Sequence, residues 1–380
     1  MADFDYIIAG AGCAGLSLAY LLSKSTLADK KILLIDKNLK QENDRTWCFW
    51  TDEDIPFEHI VFRVWKQIEF KTENYHAIYP LTKLGYKIVR GIDFYAEVKT
   101  QLAKFPNIVF LQDTVLQVYE KDNLVHLHTN TQHYTCEWLF DSRLSNNTYQ
   151  NAERTLLQHF KGYVIKTKND VFDTSKVTMF DFRIEQQNEV RFVYTLPYAS
   201  NKALVEFTIF GKKIYEKDTD YTIPLENYIK NALQIEEFEI EEQEFGIIPM
   251  TDFPFADRQG QRIKNIGILG GQSKPATGYT FLNIQRDALQ TVQALETTGQ
   301  PFYKKPANLQ FKLYDKMILD IMLRDGGDIK RIFSQMFRNN PIENILYFLD
   351  NQTNFAQDLQ IMASVPPLPF LESIKNIVLK

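Results

Sequence analysis

Short apolar runs and amphipathic stretches alternate at the start of the chain. Tyr6-Ile7-Ile8-Ala9 reads as a strand buried on both faces, and Leu16, Leu18, Ala19, Leu21 and Leu22 follow at helical spacing. Lys31-Ile32-Leu33-Leu34-Ile35-Asp36 is a second buried strand, closing a βαβ unit. Val61–Phe70 alternates apolar and polar residues, and with Tyr75–Leu81 it predicts a hairpin. A helix begins in Ile92–Lys99 with Asp93 near its N-terminus. Strands are expected over Asn107–Gln112, Val115–Glu120 and Leu124–His128, and a further strand ends at Trp138-Leu139-Phe140-Asp141. His126, His128 and His133 lack helical ligand spacing and are placed on a strand surface.

Residues 150–245 change character. Phe160–Ile165, Val177–Phe182, Arg191–Pro197 and Ala203–Phe210 are rich in aromatic and β-branched residues, as strands of an antiparallel sheet with one face on a pocket. Tyr221–Leu233 reads as a helix, and the acidic run Glu236–Glu244 as a solvated face. Asn265–Gly271 reads as a buried strand ending in glycines, followed by a loop at Lys274–Thr280 and a helix over Phe281–Thr297. Beyond Pro306 the pattern is helical and strongly apolar, with Val365–Leu371 expected to break the helices. That apolar region either caps the core or lies on a membrane surface.

The first strand-to-helix turn carries candidate chemistry. Gly10, Gly12 and Gly15 form G-x-G-x-x-G, and Asp36 follows Gly15 by twenty-one positions at the end of the second strand. Gly10 permits a tight turn, Gly12 lets a diphosphate approach the backbone, and Gly15 lets the helix pack on the strand. The helix N-terminus offers free N–H groups to phosphates. This describes a dinucleotide site, in a position common among FAD proteins and shared by NAD proteins. Arg45 either meets the phosphates or adenosine end, or is a surface arginine beside Trp47 and Trp50.

Composition narrows the classes. The 380-residue chain carries a formal net charge of −5, which gives no basic footprint for nucleic acid. Its 28 Phe and 19 Tyr fit either a well-packed core or an aromatic-lined pocket. Cys13, Cys48 and Cys136 lie far apart without C-x-x-C, arguing against a zinc site or a disulfide framework. No signal peptide and no run of about eighteen apolar residues is visible, so no spanning helix is expected.

Several stretches in order resemble the bacterial FAD-dependent lycopene cyclases, of the β-cyclase type. They are Gly10–Gly15, Asp44-Arg45-Thr46-Trp47-Cys48-Phe49-Trp50, Gln158–Gly162, Met179–Arg183, Leu196-Pro197-Tyr198, Ala203–Thr208 and Gly270–Gly278. The glycine motif is generic to flavoproteins, whereas Thr-Trp-x-Phe-Trp and Leu-Val-Glu-x-Thr are specific. The resemblance implies a flavin hydroxylase-like α/β architecture. Residues 1–60, 82–149 and 246–304 would form a discontinuous Rossmann-type FAD-binding domain. Residues 61–81 and 150–245 would form an antiparallel substrate domain, and 305–380 a helical C-terminal region. It implies FAD held by Gly10, Gly12, Gly15 and Asp36, with Arg45, Gly270, Gly271 and Gly278 also placed at the cofactor.

The resemblance further implies an intramolecular lyase. The linear ends of lycopene or a related carotene would become β-ionone rings, with reduced FAD in a non-redox role and NAD(P)H as its reductant. The family's essential acid maps to Glu206. Phe207 stands where some relatives have another acid, leaving Glu206 as the sole acid there, and Gly271 stands where many flavoproteins have Asp. A helix starting at Phe281 would aim its positive end at the flavin, or is a plain β–turn–α unit. An all-hydrocarbon substrate implies peripheral attachment on the cytoplasmic side of a membrane, and no metal is expected. The rival readings are a flavin monooxygenase or prenyl reductase of the same architecture, and a carrier without catalysis.

Overall fold

A computed structural model describes residues 2–145, 147–306 and 308–379. In chain order, β1 (Phe4–Ala9), α1 (Cys13–Leu22) and β2 (Ile32–Asp36) open the fold. Next come β3 (Thr46–Thr51), β4 (Arg63–Trp65), β5 (Gln67–Thr72), β6 (Tyr75–Pro80), β7 (Gly85–Arg90) and α2 (Gly91–Leu102). After these run β8 (Ile108–Gln112), β9 (Val115–Lys121), β10 (Leu124–Thr129) and β11 (His133–Asp141). The middle of the chain holds β12 (Thr155–Lys166), β13 (Val177–Asp181), β14 (Val190–Ala199), β15 (Lys202–Gly211), α3 (Thr219–Asn231) and β16 (Glu239–Thr251). The chain closes with β17 (Arg258–Gln259), β18 (Ile263–Asn265), α4 (Phe281–Thr298), α5 (Leu309–Arg324), α6 (Gly327–Asn339), α7 (Ile342–Leu349), α8 (Phe355–Ala363) and α9 (Pro367–Val378).

The first sheet runs β17-β18-β11-β1-β2-β8, with β10 and β9 branching from β11. The pairs β18/β11, β11/β1, β1/β2 and β2/β8 are parallel. Ile7, Ala9, Leu33 and Ile35 fill one face, and Tyr6, Ile8, Ile32 and Leu34 the other, beneath α1 and α4. This two-sided burial explains the unbroken apolar runs. His126 and His133 do lie on strands, their rings joined Nδ1 to Nε2 at 3.1 Å.

The second sheet runs β16-β12-β15-β14-β13-β5-β6. Val193, Val205, Phe207 and Ile209 face α3, where Tyr221, Leu225 and Ile229 cover them. Phe192, Leu204 and Phe210 point the other way, toward Ile332, Met336 and Phe337 of α6. The predicted hairpin is β5–β6, and it joins this sheet through a parallel pairing of β5 with β13.

Three expectations need correction. The strand predicted over Asn265–Gly271 stops at Asn265, because consecutive turns then bend the chain: Gly270 N donates to Ile266 O and Gly267 O, and Gly271 N to Ile268 O. Pro366-Pro367 does not merely break helices. Pro367 opens α9 at a position where its missing N–H has no helical partner to lose. The acidic run is not uniformly solvated, because β16 carries its last member, Glu244, into the interior with 7% exposure.

Candidate active site

A cavity of about 360 Å³ extends from the β1–α1 turn to the face of the second sheet. Gly12, Cys13 and Ala14 form one end, and Glu206 and Leu204 of β15 form part of the other. Trp47, Tyr95, Phe160, Tyr194, Tyr279 and Phe281 give it aromatic walls. Their π faces can attract a cation placed among them.

The glycine turn leaves a cradle. A Cβ on Gly15 would sit 2.0 Å from the Gly10 carbonyl, so α1 approaches β1 more closely than any side chain allows. Gly10 adopts φ +102°, the left-handed region that favours glycine. Nothing lies within 4 Å of a Cβ on Gly12, which faces the cavity. Gly12 is the N-cap of α1 and supplies no side-chain acceptor to its first N–H groups. A buried polar atom also waits on the wall: Gln158 Oε1 has no donor among the described residues. The open glycine turn and its free N–H groups fit a bound dinucleotide phosphate, whereas Gln158 Oε1 is an acceptor and calls for a hydrogen-bond donor.

The expected cofactor residues divide by position. Gly12, Arg45 and Gly278 line the cavity. Gly278 adopts φ +72°, and a Cβ there would meet Gln158 Oε1 at 2.0 Å. Arg45 donates from Nη1 to the carbonyls of Asp44 and Phe245, at 2.6 and 2.9 Å. Asp36 stands behind the turn, accepting from Ala11 N at 2.7 Å and Asn38 N at 2.8 Å. Gly270 and Gly271 do not reach the wall; Gly267 and Ile268 do. Gly270 is instead required by the turn, since its Cβ would lie 2.5 Å from Asn265 O.

Glu206 is enclosed by protein, and its residual exposure is to the cavity it lines. Val205 and Phe207 point away under α3, as strand alternation requires. Thr208 Oγ1 donates to Glu206 Oε1 at 2.9 Å. Burial, then the neighbouring Glu244, pushes the Glu206 carboxyl well above the usual carboxylate range. Burial also raises Tyr194 and Tyr279, whose hydroxyls lie 3.3 Å apart.

Glu244 is the residue sequence reasoning missed, and Glu206 is not the sole acid at this point. Glu206 pairs with Gly162 across β15 and β12, and Gly162 pairs with Glu244 across β12 and β16. The two glutamates therefore flank a position without a side chain. A Cβ on Gly162 would sit 3.1 Å from Glu244 Cγ and 3.3 Å from its Oε1. Thr46 Oγ1 donates to Glu244 Oε2 at 2.9 Å. A glycine centred between acids on adjacent strands was the available signal, but it needs the strand register to be read.

Residues 5–375 match the lycopene cyclase protein family. The chain is 25% identical to a lycopene beta-cyclase of Pantoea ananas, covering 99% of this chain and 98% of that protein. It is 24% identical to one from Pseudescherichia vulneris, covering 97% and 96%. The fold is similar to a geranylgeranyl bacteriochlorophyll reductase-like protein of Thermoplasma acidophilum, with TM-score 0.62, 14% identity and coverage of 97% and 98%. It is also similar to a Klebsiella pneumoniae HpxO variant complexed with FAD, with TM-score 0.61, 13% identity and coverage of 92% and 98%. These likenesses show the fold: the mixed α/β architecture is shared along nearly the whole chain with a protein solved in complex with FAD. With its signature stretches running nearly end to end, the chain belongs to the lycopene cyclase family.

Proposed function

We propose that this protein converts the open ends of lycopene, or a related linear carotene, into β-ionone rings by acid–base chemistry. The observation that carries the reading is Glu206: a carboxyl on the wall of an aromatic cavity that begins at a nucleotide-type glycine turn, its proton affinity raised by desolvation and by Glu244. An unactivated double bond needs a strong, positioned acid and surroundings that tolerate a cation. Glu206 donates a proton to the terminal double bond of the chain. The resulting tertiary cation is attacked by an internal double bond, closing the ring. A ring proton is then lost, so the product has the mass of the substrate.

FAD belongs to this proposal. Gly10, Gly12 and Gly15 would hold its diphosphate, Asp36 would brace that turn, and Arg45 and Gly278 would border its other portions. When bound and reduced by NAD(P)H, it would supply electron-rich character close to the cation. The chain's own aromatic rings, Tyr194 and Tyr279 among them, would share that task.

A second cavity of about 70 Å³ supports a long apolar substrate. Phe311, Ile332, Phe333, Met336 and Phe370 line it beneath the C-terminal helices, and Thr277 borders both cavities. Leu368, Leu371 and Val378 lie exposed on α9, and Leu309 on α5 and Phe355 on α8 are exposed as well. We place this region against the cytoplasmic side of a membrane, as a peripheral contact.

Expression in lycopene-accumulating cells tests the reading. The cells should turn from red to orange as cyclic carotenes replace lycopene. Unchanged pigment, with the protein folded and flavin-loaded, would point to a carrier. A product that had gained hydrogen or oxygen would point to a reductase or monooxygenase.

A further inference from the structure

The pair formed by Glu206 and Glu244 goes beyond a single positioned acid. Both carboxyls come from one transverse row of the second sheet, Glu206–Gly162–Glu244 across β15, β12 and β16. The absent side chain at Gly162 lets Glu244 lean over its neighbour, with Oε1 above the glycine. Glu244 Oε2 is satisfied by Thr46, but its buried Oε1 has no donor among the described residues. A buried acceptor without a donor is costly, and two ionised carboxylates side by side cost more. One proton held between the carboxyls removes both costs.

We propose that Glu206 and Glu244 share one proton, and that Glu244 is a positioning residue that keeps Glu206 loaded for donation and drives the proton's return. This rests on the cyclase reading above. In the resting state Glu206 carries the proton and hydrogen-bonds to ionised Glu244. Donation breaks the Glu206 O–H bond and the substrate π bond, and forms a C–H bond. It leaves a carbocation facing two carboxylates. After ring closure a ring C–H bond breaks, its electron pair becomes the ring double bond, and the proton returns to Glu206. Protons balance and no electrons leave the substrate. Like charge makes the doubly ionised pair a stronger base than either carboxylate alone, so the pair takes up the ring proton, which then exchanges with solvent once the product has left.

Other groups that face the pair come from several elements. Arg45 opposes the effect of Glu244 on Glu206, although its guanidinium is hydrogen-bonded to carbonyls. Glu242 on β16 reinforces it at Glu244. Thr208 and Thr46 hydrogen-bond to the carboxyls. Cys48 on β3, Tyr194 and Tyr198 on β14, and Tyr279 before α4 are held neutral by burial. Among these groups the two glutamates are the pair that shares the proton, each carboxyl raised by burial.

Two measurements test the proposal. In the pH profile of kcat/KM, Glu244→Gln should move the alkaline limb down by about one pH unit or more, with a loss of roughly tenfold at pH values above the wild-type limb. KM and bound flavin should stay close to wild type, and Glu244→Asp should return the limb toward its original position. A limb unmoved in a folded Glu244→Gln protein overturns the proposal. The second readout needs neither activity nor the Glu244 variants. Infrared spectra of the wild-type holoenzyme at neutral pH should contain a protonated, deuterium-sensitive carboxylic acid band that Glu206→Gln removes. A wild-type spectrum without that band overturns the shared proton even if the pigment assay succeeds, and its presence with no cyclisation faults the functional reading alone.

Discussion

The backbone N–H of Ala11 donates to Oδ2 of Asp36 at 2.7 Å, tying the loop after β1 to the end of β2. Asp36, one of the residues expected to hold the cofactor, braces the turn itself. Hydrogen bonds to a charged group contribute about 1.5–3 kcal/mol. Asp36→Ala should therefore weaken FAD binding by tenfold or more while leaving the chain folded. Fluorescence titration of the apoprotein measures this, and wild-type affinity would remove Asp36 from the cofactor site.

Glu206→Gln tests the acid. The amide keeps the shape and can still accept from Thr208, but it cannot donate a proton to an alkene. Cyclisation should fall by roughly a hundredfold or more. The melting temperature should hold or rise, because an expensive buried acid has gone. Chromatography of the carotenes and a thermal melt read both. Near-normal cyclisation with flavin bound would exclude Glu206.

His159 sets an acid limit on stability. It is fully buried on the α3 side of β12, with Nδ1 2.8 Å from the Tyr221 hydroxyl, and burial pushes its pKa down to about 4. The unfolded chain binds this proton near pH 6.5, so stability is complete above that value and falls as pH drops toward 4. The loss approaches at most about 1.4 kcal/mol per pH unit within that window. Glu69 acts lower: burial alone would raise it, but Thr178, Lys71 and Lys176 hold it at about 2, so its loss begins below pH 4.5. Urea midpoints for wild type and His159→Gln should converge between pH 7.5 and 5. A constant gap would contradict the assignment.

The exposed leucines of α9 should matter for membranes rather than for folding. Among the described residues no helix is long and apolar enough to cross a bilayer. Leu368→Asp with Leu371→Asp should abolish flotation with phospholipid vesicles and leave the thermal melt nearly unchanged. Equal flotation of variant and wild type would move the contact elsewhere.

Much of this architecture can be read from local pattern. The runs at Tyr6–Ala9 and Ile32–Asp36, the glycine spacing and the helix at Phe281 are each set by neighbours in sequence. Residues 203–210 likewise show which side of the strand Glu206 occupies. Glu244 is different because β16 inverts the ordinary rule. Glu244 is buried while Phe245 and Ile247 are 42% and 40% exposed. Polarity therefore assigns the wrong face, and the inversion becomes visible only when β16 is registered against β12. Such a local conflict is expected where an interior surface does chemistry. The turn at Gly270 was obscured for a related reason: Ile266-Gly267-Ile268-Leu269 has a strand's apolarity, but tight turns fix its path.

The central claim is that a proton from Glu206 starts a ring closure without net redox change. Purified protein with reduced FAD, incubated anaerobically with lycopene in heavy water, tests it by mass spectrometry. The product should be cyclic carotene carrying one deuterium for each ring formed, with no added hydrogen or oxygen beyond that exchange. A cyclic product without deuterium, or a product heavier by added hydrogen or oxygen atoms, would contradict it.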